Sequence, residues 1–215
     1  MVMPEELRLQ ADFLQLLERD NPLCEISEWV WSELQRGSRD RNHPWNLGCI
    51  STVERQNSGE LLPRSRTVVL RGVDTRSRTL DFYTDGRSAK VCSLLDPNVT
   101  PRVCWLFYRH ETRVQVRVDG RCEILARDQA EEYWKSTPSD SHKLYATKDP
   151  PGTRMENQLP NDPEYDFDRA QDHFFVVRTR VENIDLVSLS SKGNRRLTIE
   201  YEDLSLPARL SWRTP

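Results

Sequence analysis

The chain has 215 residues, and its hydrophobic fraction of 36% is enough for the core of one sizeable domain. Its 31 basic and 34 acidic residues give a formal net charge of -3, which argues against the broadly basic surface of a general nucleic-acid binder. No apolar run reaches the roughly 20 residues of a membrane span, and the first residues lack the basic and apolar regions of a signal peptide. We therefore expect a cytoplasmic protein with one domain, residues 1–215, and no membrane or nucleic-acid partner.

Cysteine and histidine are too dispersed along the chain to indicate a metal or redox site. The five cysteines include no C-x-x-C pair, and the four histidines show no H-x-x-x-H spacing. We expect no bound metal, and we expect the cysteines to be reduced thiols in the core, as is usual in the cytosol. They are Cys24, Cys49, Cys92, Cys104 and Cys122.

The N-terminal segment, residues 1–40, is predicted to be helical. In CEISEWVWSEL the apolar residues recur at helical spacing and form one stripe. The stripe consists of Ile26, Trp29, Val30 and Leu34. Phe13 to Leu17 is predicted to be a further helical piece, and Gly37 with the polar residues after it predicts the end of the region.

The middle and the end of the chain are predicted to be strands separated by turn-forming residues, as in an antiparallel barrel. The first group is Leu47–Val53, Ser65–Val73, Thr79–Asp85, Arg102–Arg109, Thr112–Gly120 and Arg121–Leu125. A second group, HFFVVRTRV, IDLVSL and RLTIEY, closes the chain. The predicted fold class is therefore mainly β with flanking helices (α+β), built on an antiparallel barrel.

Helices and a long loop separate the two groups of strands. DQAEEYWKS is predicted to be a helix with Asp128 as its N-cap, and SDSHKLYA a further turn or helix. Residues 149–166 are rich in proline and polar side chains, and connections of this length are usually lids, binding loops or disordered segments. The sequence leaves these three possibilities open.

The stretch PRSRTVVLRG places arginines at both ends of a short apolar run. Arg66 and Arg71 bracket Thr67 to Leu70, and a guanidinium presents its donors in a planar fork that matches a phosphate. Long basic side chains also lie along exposed strands without binding a ligand. The stretch alone does not decide between an anion site and a solvated strand.

The segment LDFYTDGRSAK favours the anion site. It is predicted to be a strand, a polar turn at Asp85 and Gly86, and a helix that begins near Ser88. Arg87 and Lys90 fall in the first helical turn, where cations are unfavourable for the helix itself. An anion held between these cations and the free backbone N–H groups would offset that cost.

Four ordered segments, RTVVLR, LDFYTD, RSAK and VQVRVDG, together resemble the FMN-binding core of the pyridoxamine 5'-phosphate oxidases. The similarity is closest to their related FMN-binding proteins of unassigned substrate, runs from about Leu47 to Ala146 and resumes weakly from His173. The resemblance implies a split β-barrel, bound FMN, and a homodimer with two flavin sites at the subunit interface.

The resemblance also implies individual cofactor contacts. Arg66 matches the family's FMN-phosphate arginine. Lys90 matches the lysine of a Ser-Arg-Lys triplet whose arginine is replaced here by Ala89, so that role is lost or passes to Arg87. Gln115 matches a glutamine at the edge of the isoalloxazine ring, although the alternation of TRVQVRVDG by itself favours a residue facing water. The full predicted cofactor set is Arg66, Thr67, Val68, Val69, Arg71, Tyr83, Thr84, Arg87, Ser88, Lys90, Gln115 and Arg196, the last reached from the partner subunit.

The implied substrate site departs from that of the oxidases. Those enzymes hold the substrate phosphate with Tyr, Arg and Ser of a Y-x-x-x-R-P-x-x-S segment, in which this chain keeps Tyr133 and Ser141 but has Thr137 at the arginine position. Arg71 stands where the oxidases place a lysine near the flavin ring and the substrate phosphate. The resemblance therefore predicts weak or absent oxidation of pyridoxamine 5'-phosphate.

Three functional classes fit these observations. The first is an FMN-dependent oxidoreductase acting on another small molecule or electron donor, in which the flavin carries the redox chemistry. The second is a non-catalytic FMN carrier or sensor. No residue stands out as a general base or nucleophile, which suits flavin chemistry and does not separate these two classes. The third, a barrel that binds nucleic acid through the arginines of residues 64–78, is disfavoured by the acidic charge balance.

Overall fold

The structure is a computed structural model that describes residues 13, 16–17, 19–20, 22–154, 164–190, 193–205 and 207–215. Within these residues nine strands form one sheet in which every pairing is antiparallel. The strands are β1 Leu47–Arg55, β2 Leu61–Val69, β3 Gly72–Asp74, β4 Thr79–Asp85, β5 Arg102–Arg109, β6 Val114–Ile124, β7 Phe174–Ser188, β8 Arg195–Glu200 and β9 Arg209–Arg213. The predicted fold class, mainly antiparallel β with flanking helices, is confirmed.

Five helices and two short turns pack against the sheet in the described part of the chain. They are α1 Leu23–Arg39, α2 Ala89–Leu94, α3 Arg127–Ser136, α4 Ser139–His142 and α5 Ala170–His173, with single 3-10 turns at Pro44–Asn46 and Lys143–Tyr145. Of the predicted helical piece before α1, the described residues Phe13, Leu16 and Leu17 are helical. Over the described part of the chain, no helix combines the length and the apolar character that crossing a membrane requires.

Helix α1 packs the predicted apolar stripe onto the main core, where its four residues are buried. Trp29 lies edge-on to Trp45 at 5.6 Å between ring centroids. The helix ends at Arg39, inside the polar stretch that begins at Gly37, as predicted. Gly37 itself allows a close approach, since a Cβ there would lie 2.9 Å from the backbone of Trp45.

A buried ionic cluster connects α1 to the sheet. The carboxylate of Glu33, on α1, is 1% exposed and accepts hydrogen bonds from Arg109, on β5, and from Arg36 at 2.9 Å. The His43 ring lies 3.3 Å from the same carboxylate. Burial acts to raise the pKa of Glu33, but the hydrogen bond with His43 and the charges of Arg109 and Arg36 outweigh it, so this pKa lies below its ordinary value of 4.5.

The segment predicted as one strand, Ser65–Val73, is two strands at opposite ends of the sheet path. The break is at Leu70 and Arg71, whose backbone N–H groups leave the β1–β2 ladder. Leu70 donates to the carbonyl of Asn46, and Arg71 donates to that of Asp81 on β4, both at 2.8 Å. Arg71 therefore lies between β2 and β4, where the two ends of the open sheet approach each other.

Two pairs of predicted strands are in fact single strands. Thr112–Gly120 and Arg121–Leu125 form one strand, β6, with an irregularity at Asp119 and Gly120. Gly120 is needed there because a Cβ would lie 2.2 Å from the carbonyl oxygen of Arg180.

The last long strand, β7, holds the two halves of the sheet together. HFFVVRTRV and IDLVSL, predicted as separate strands, form it without interruption. One edge of β7 pairs with β6, while the other edge pairs first with β4 and then with β8. The short outer strand β9 was not predicted.

Two smaller predictions also fail. Helix α3 begins at Arg127 with Ala126 as its N-cap, and Asp128 lies in the first turn, so Asp128 is not the cap. The expectation of core thiols is wrong for most of the cysteines, since Cys122 is buried but Cys24 and Cys92 are exposed. All five are free thiols in the structure.

Candidate functional site

Four of the predicted cofactor residues come together at one end of the barrel. They are Arg66, Thr84, Ser88 and Lys90, and we call them the anion cluster. Thr84 ends β4 and Ser88 is the N-cap of α2. The Lys90 ammonium donates to Thr84 Oγ1 at 2.7 Å and to Ser88 Oγ at 3.1 Å. Arg66 Nη1, from β2, donates to Thr52 Oγ1 at 2.6 Å and to the carbonyl of Arg64 at 2.9 Å.

The charges of the anion cluster are not balanced. Burial lowers the pKa of Lys90, and the positive charge of Arg66 lowers it further. Burial is also the main cause of the lowered pKa of Arg66. The charges of Asp85 and Glu54 oppose these shifts in part, but among the described residues these carboxylates form their ion pairs with Arg87 and Arg64 and not with Lys90 or Arg66. Two partly buried cations that repel each other favour a bound anion of high charge.

Arg87 is not part of this cluster, although it precedes Ser88. Its guanidinium forms a two-point ion pair with Asp85, through Nε at 3.0 Å and Nη2 at 2.6 Å. Nη1 donates to the carbonyls of Thr147 and Lys148 at 2.9 and 3.0 Å, and Nη2 also reaches Thr147 Oγ1 at 3.4 Å. All five donors are engaged with the protein, so the structure does not bring Arg87 to the predicted phosphate site.

A group of aromatic side chains lies on the outer face of β4 and β7, beneath α3 and α4; we call Tyr83, Tyr133, Tyr145 and Phe174 the aromatic cluster. Tyr83 and Tyr145 both lie edge-on to Phe174, at centroid distances of 5.0 and 5.1 Å. Tyr133 lies 5.9 Å from Tyr83. The guanidinium of Arg71 is 5.6 Å from the centre of the Tyr83 ring, which places a cation at the edge of the cluster.

The predicted substrate residues have protein partners of their own. The Tyr133 hydroxyl accepts a hydrogen bond from Arg178 Nη2 at 2.8 Å, and Arg178 forms a two-point ion pair with Asp81 at 2.9 and 2.8 Å. Thr137 is 8% exposed, and its hydroxyl donates to the carbonyl of Tyr133 at 2.8 Å. Thr137 therefore closes the end of its own helix, while the neighbouring Ser141, in α4, is half-buried.

The remaining predicted cofactor residues are divided between the two faces of the sheet, since Val68 packs against the main core. Thr67 is exposed and Val68 and Val69 are half-buried on β2, the strand that carries Arg66. The valines that alternate with Gln115 are fully buried, as predicted, and Gln115 is half-buried opposite Tyr108. Arg196 is held within its own chain by Asp185, at 2.9 and 2.7 Å.

Sequence reasoning missed three residues of this region. Arg178 and Asp81 face each other in the β4–β7 register, and only the pairing of strands far apart in sequence brings them to Tyr133. Tyr145 lies in a single 3-10 turn whose sequence, KLY, has no distinctive spacing. The alternation of apolar and polar residues in FFVVRTRV was the one available signal for Arg178.

Comparisons with known proteins connect the chain to one family of flavoproteins. Residues 27–126 match the family model described as pyridoxamine 5'-phosphate oxidase, FMN-binding domain. A pyridoxine/pyridoxamine 5'-phosphate oxidase of Caulobacter vibrioides is 32% identical over 121 residues, which are 56% of this chain and 49% of the relative. One of Bordetella petrii is 35% identical over 139 residues, 63% of this chain and 60% of the relative. The matches thus span about half the length of the curated relatives.

Two solved structures show the same fold. A pyridoxamine 5'-phosphate oxidase-related, FMN-binding protein of Nostoc punctiforme superimposes with a TM-score of 0.66 at 19% identity, covering 87% of this chain and 96% of that one. PhzG from Burkholderia lata, solved with tetrahydrophenazine-1-carboxylic acid, superimposes with a TM-score of 0.61 at 17% identity, covering 100% and 98%.

The fold and the matched domain define a split-barrel protein of the FMN-binding class. Within that class the chain is similar to the pyridoxamine 5'-phosphate oxidases, and its residues 27–126 match the model of their FMN-binding domain. The predicted resemblance to these oxidases and the predicted cofactor, FMN, are confirmed.

Proposed function

We propose that this protein is an FMN-dependent oxidoreductase whose substrate is not pyridoxamine 5'-phosphate. The observation that carries the proposal is the anion cluster, in which Arg66 and Lys90 converge without a carboxylate partner among the described residues, inside a domain of FMN-binding type. The donor set fits a phosphate monoester, since it combines two cations with two hydroxyls.

Each residue of the anion cluster would have a separate part in holding the cofactor. Arg66 and Lys90 would neutralise the phosphate dianion. The hydroxyls of Thr84 and Ser88 accept hydrogen bonds from Lys90 and would donate their own protons to the phosphate oxygens. Bound FMN supplies the hydride and electron transfer that protein side chains do not perform. The phosphate would thus provide the direct charge partner that Arg66 and Lys90 do not have among the described residues.

The altered substrate site supports a substrate other than pyridoxamine 5'-phosphate. Thr137, at the position of the oxidases' arginine, uses its hydroxyl to cap its own helix. Arg178, the nearest cation to Tyr133, is neutralised by Asp81. A phosphate on the substrate would therefore meet fewer free donors than in the oxidases.

A homodimer completes the proposal. Leu47, Leu106 and Tyr108 expose 55%, 39% and 45% of their surface. Because directly paired residues point to the same side of a sheet, the pairing of Cys49 with Leu106 and of Tyr108 with Gln115 places them on one outward face. The same face carries Arg117, which pairs directly with Leu106, and exposed apolar side chains among polar ones are usual in subunit interfaces. We expect the protein to be cytoplasmic and to sediment as a homodimer. Leu106→Glu should shift the equilibrium between dimer and monomer toward the monomer. A wild-type protein that sediments as a monomer while loaded with FMN would contradict the dimer.

The test is an absorbance spectrum of the purified protein, followed by extraction and identification of the released cofactor. We expect flavin bands and FMN rather than FAD or riboflavin. Turnover is then measured as reduction of the bound flavin by NADH or NADPH and as release of hydrogen peroxide. Bound FMN with neither activity across a panel of donors would favour a carrier or sensor, and a protein that cannot bind FMN would refute the proposal.

A further inference from the structure

Three arginines stand side by side on neighbouring strands of the sheet; we call Arg102, Arg121 and Arg180 the arginine row. Arg102 on β5 pairs directly with Arg121 on β6, and Arg121 pairs directly with Arg180 on β7. Directly paired residues point to the same side of a sheet, and like charges in such pairs are destabilising. The side chains of Arg102 and Arg121 are 49% and 63% exposed, and Arg180 is exposed as well. The row is thus a line of positive charge on the outer surface of the sheet.

The positive charge of the arginine row is only partly neutralised. Among the described residues, the one carboxylate that forms ion pairs with the row is that of Glu182, at 2.7 Å from Arg102 Nη2 and 2.8 Å from Arg121 Nε. Glu182 lies in the irregularity of β7 opposite Asp119 and Gly120, and such an irregularity redirects a side chain. One carboxylate among three guanidiniums leaves two positive charges without a direct partner.

Arg180 is the member of the row that has no partner. Within the described parts of the chain its guanidinium forms neither a hydrogen bond nor an ion pair. It borders a surface cleft of about 190 Å³ that is lined by β7 and by residues 201–204. The acidic side chains of that segment have partners elsewhere, since Glu202 pairs with Arg209 at 2.9 Å and Asp203 is hydrogen-bonded within its own turn. The donors of Arg180 therefore face a concave part of the surface that holds no opposing free carboxylate among the described residues.

We propose that the arginine row binds linked phosphoryl groups, either those of a free oligophosphate or those of a nucleotide. A guanidinium binds phosphate oxygens through a planar fork of donors. Neighbouring strands lie about 4.8 Å apart, so the row spans roughly 10 Å. A single phosphate has few oxygens to share among three guanidiniums spread over this distance. Two or three linked phosphoryl groups offer each guanidinium oxygens of its own, and their negative charges relieve the repulsion within the row.

The arginine row is separate from the sites already described. The anion cluster is formed by β2, β4 and α2, whereas the row is formed by β5, β6 and β7. Tyr108, on the face proposed for the dimer, and Arg102 lie near opposite ends of β5, about 20 Å apart at roughly 3.4 Å per residue. The row would bind such a ligand whether or not the protein turns over a substrate.

The experiment is isothermal titration calorimetry of the whole protein with tripolyphosphate, ATP and orthophosphate. We expect tripolyphosphate to bind at least about tenfold more tightly than orthophosphate, and to bind more weakly as the salt concentration rises. ATP binding more tightly than tripolyphosphate would identify a nucleotide as the ligand, and the reverse order would identify a free oligophosphate. Orthophosphate binding as tightly as tripolyphosphate, or no binding of either oligophosphate, would overturn the proposal.

Two variants of opposite expected effect identify the residues responsible. Arg180→Gln should weaken tripolyphosphate binding about fivefold, because it removes a guanidinium whose donors have no partner among the described residues. Glu182→Gln should strengthen binding about threefold, because it removes the carboxylate that competes for Arg102 and Arg121. Weaker binding by Glu182→Gln, or unchanged binding by Arg180→Gln, would contradict the assignment.

Controls separate the row from net charge and from the anion cluster. Arg209→Gln removes the same charge from an exposed arginine of β9 that is paired with Glu202, and we expect it to change the affinity for tripolyphosphate less than about twofold. A loss equal to that of Arg180→Gln would show a response to net charge alone and contradict the site. Titrations with and without saturating FMN should both show the site, and tripolyphosphate binding that FMN abolishes would place the ligand in the anion cluster and overturn the proposal.

Discussion

Replacing Arg66 by Gln should separate the affinity for FMN from the affinity for riboflavin. The change removes a guanidinium from β2 and leaves its neighbours Thr52, Thr84 and Lys90 in place. If Arg66 contacts the phosphate, FMN loses a charge-assisted hydrogen bond. Riboflavin, which has no phosphate, loses nothing.

The size of the effect follows from the charges of the anion cluster. A hydrogen bond to a charged group contributes about 1.5–3 kcal/mol, or roughly 10- to 150-fold in affinity at about 1.4 kcal/mol per factor of ten. Arg66 also lowers the pKa of Lys90 in the free protein, so its removal relieves a repulsion. We therefore expect a loss in the lower part of that range, about 10- to 30-fold.

The assay is the titration of cofactor-free protein with each flavin, followed by flavin fluorescence. Arg64→Gln is the matched control, because Arg64 lies two residues away on the same strand and its Nε is paired with Glu54 at 3.0 Å. We expect Arg64→Gln to change either affinity less than about threefold. Equal losses of FMN and riboflavin affinity in Arg66→Gln would refute the assignment of the anion cluster to the phosphate.

Three further predictions concern pH, stability and substrate. Burial and Arg66 lower the pKa of Lys90 below 10.5 in the free protein, and a bound phosphate would raise this pKa again. FMN affinity should therefore fall as the pH rises from the lowered pKa of Lys90 toward 10.5. An FMN affinity that stays constant up to about pH 10 would contradict this prediction. Glu33→Gln should reduce the free energy of unfolding by about 3 kcal/mol, because it removes the buried charge partner of Arg109, whose other carboxylate, that of Glu111, lies 4.0 Å away. In urea denaturation this contribution should be present above pH 4.5 and be lost as the pH falls through the lowered pKa of Glu33. Finally, pyridoxamine 5'-phosphate should be oxidised with a kcat/KM below about 10⁴ M⁻¹s⁻¹, and a higher value in steady-state kinetics would show that the substrate site has been misinterpreted.

The strands could be predicted from the sequence where the alternation of apolar and polar residues within the strand determines which face is buried. The alternation of Val114, Val116 and Val118 predicted one buried face, and all three are fully buried. Thr79–Asp85 and Arg102–Arg109 have the predicted bounds. In these strands the residues themselves specify the pleat, since one face of each packs on the core.

Strand boundaries that depend on distant partners could not be predicted. The apolar run through Leu70 reads as a single strand, but the hydrogen bonds to Asn46 and Asp81 divide it. Asp119-Gly120 has the composition of a turn, yet it is an irregularity inside β6 because β7 pairs along both sides of it. The information lies in the partner strand and not in the run itself.

The candidate site divides in the same way. Arg66, Thr84, Ser88 and Lys90 were predicted from motifs within a short stretch, and the structure brings them together. Arg87 could not be placed from sequence, because its partners Thr147 and Lys148 are contributed by a loop some sixty residues away. Tyr145 and Arg178 were missed for the same reason, since their relation to the site is created by the packing of α3 and β7.

Strand β7 determines when the sheet can finish forming during synthesis of the chain. Its pairing with β4 joins Thr79 to Arg180, and its pairing with β6 joins Val114 to Ser188. At about 5–20 residues per second, the edge of β4 waits on the order of 5–20 seconds for its partner to leave the ribosome. Thr84, at the end of β4, therefore gains its neighbouring strand late in translation, so we expect FMN to be taken up by finished chains rather than nascent ones. A ribosome that stalls before β7 would leave two unpaired strand edges exposed to aggregation.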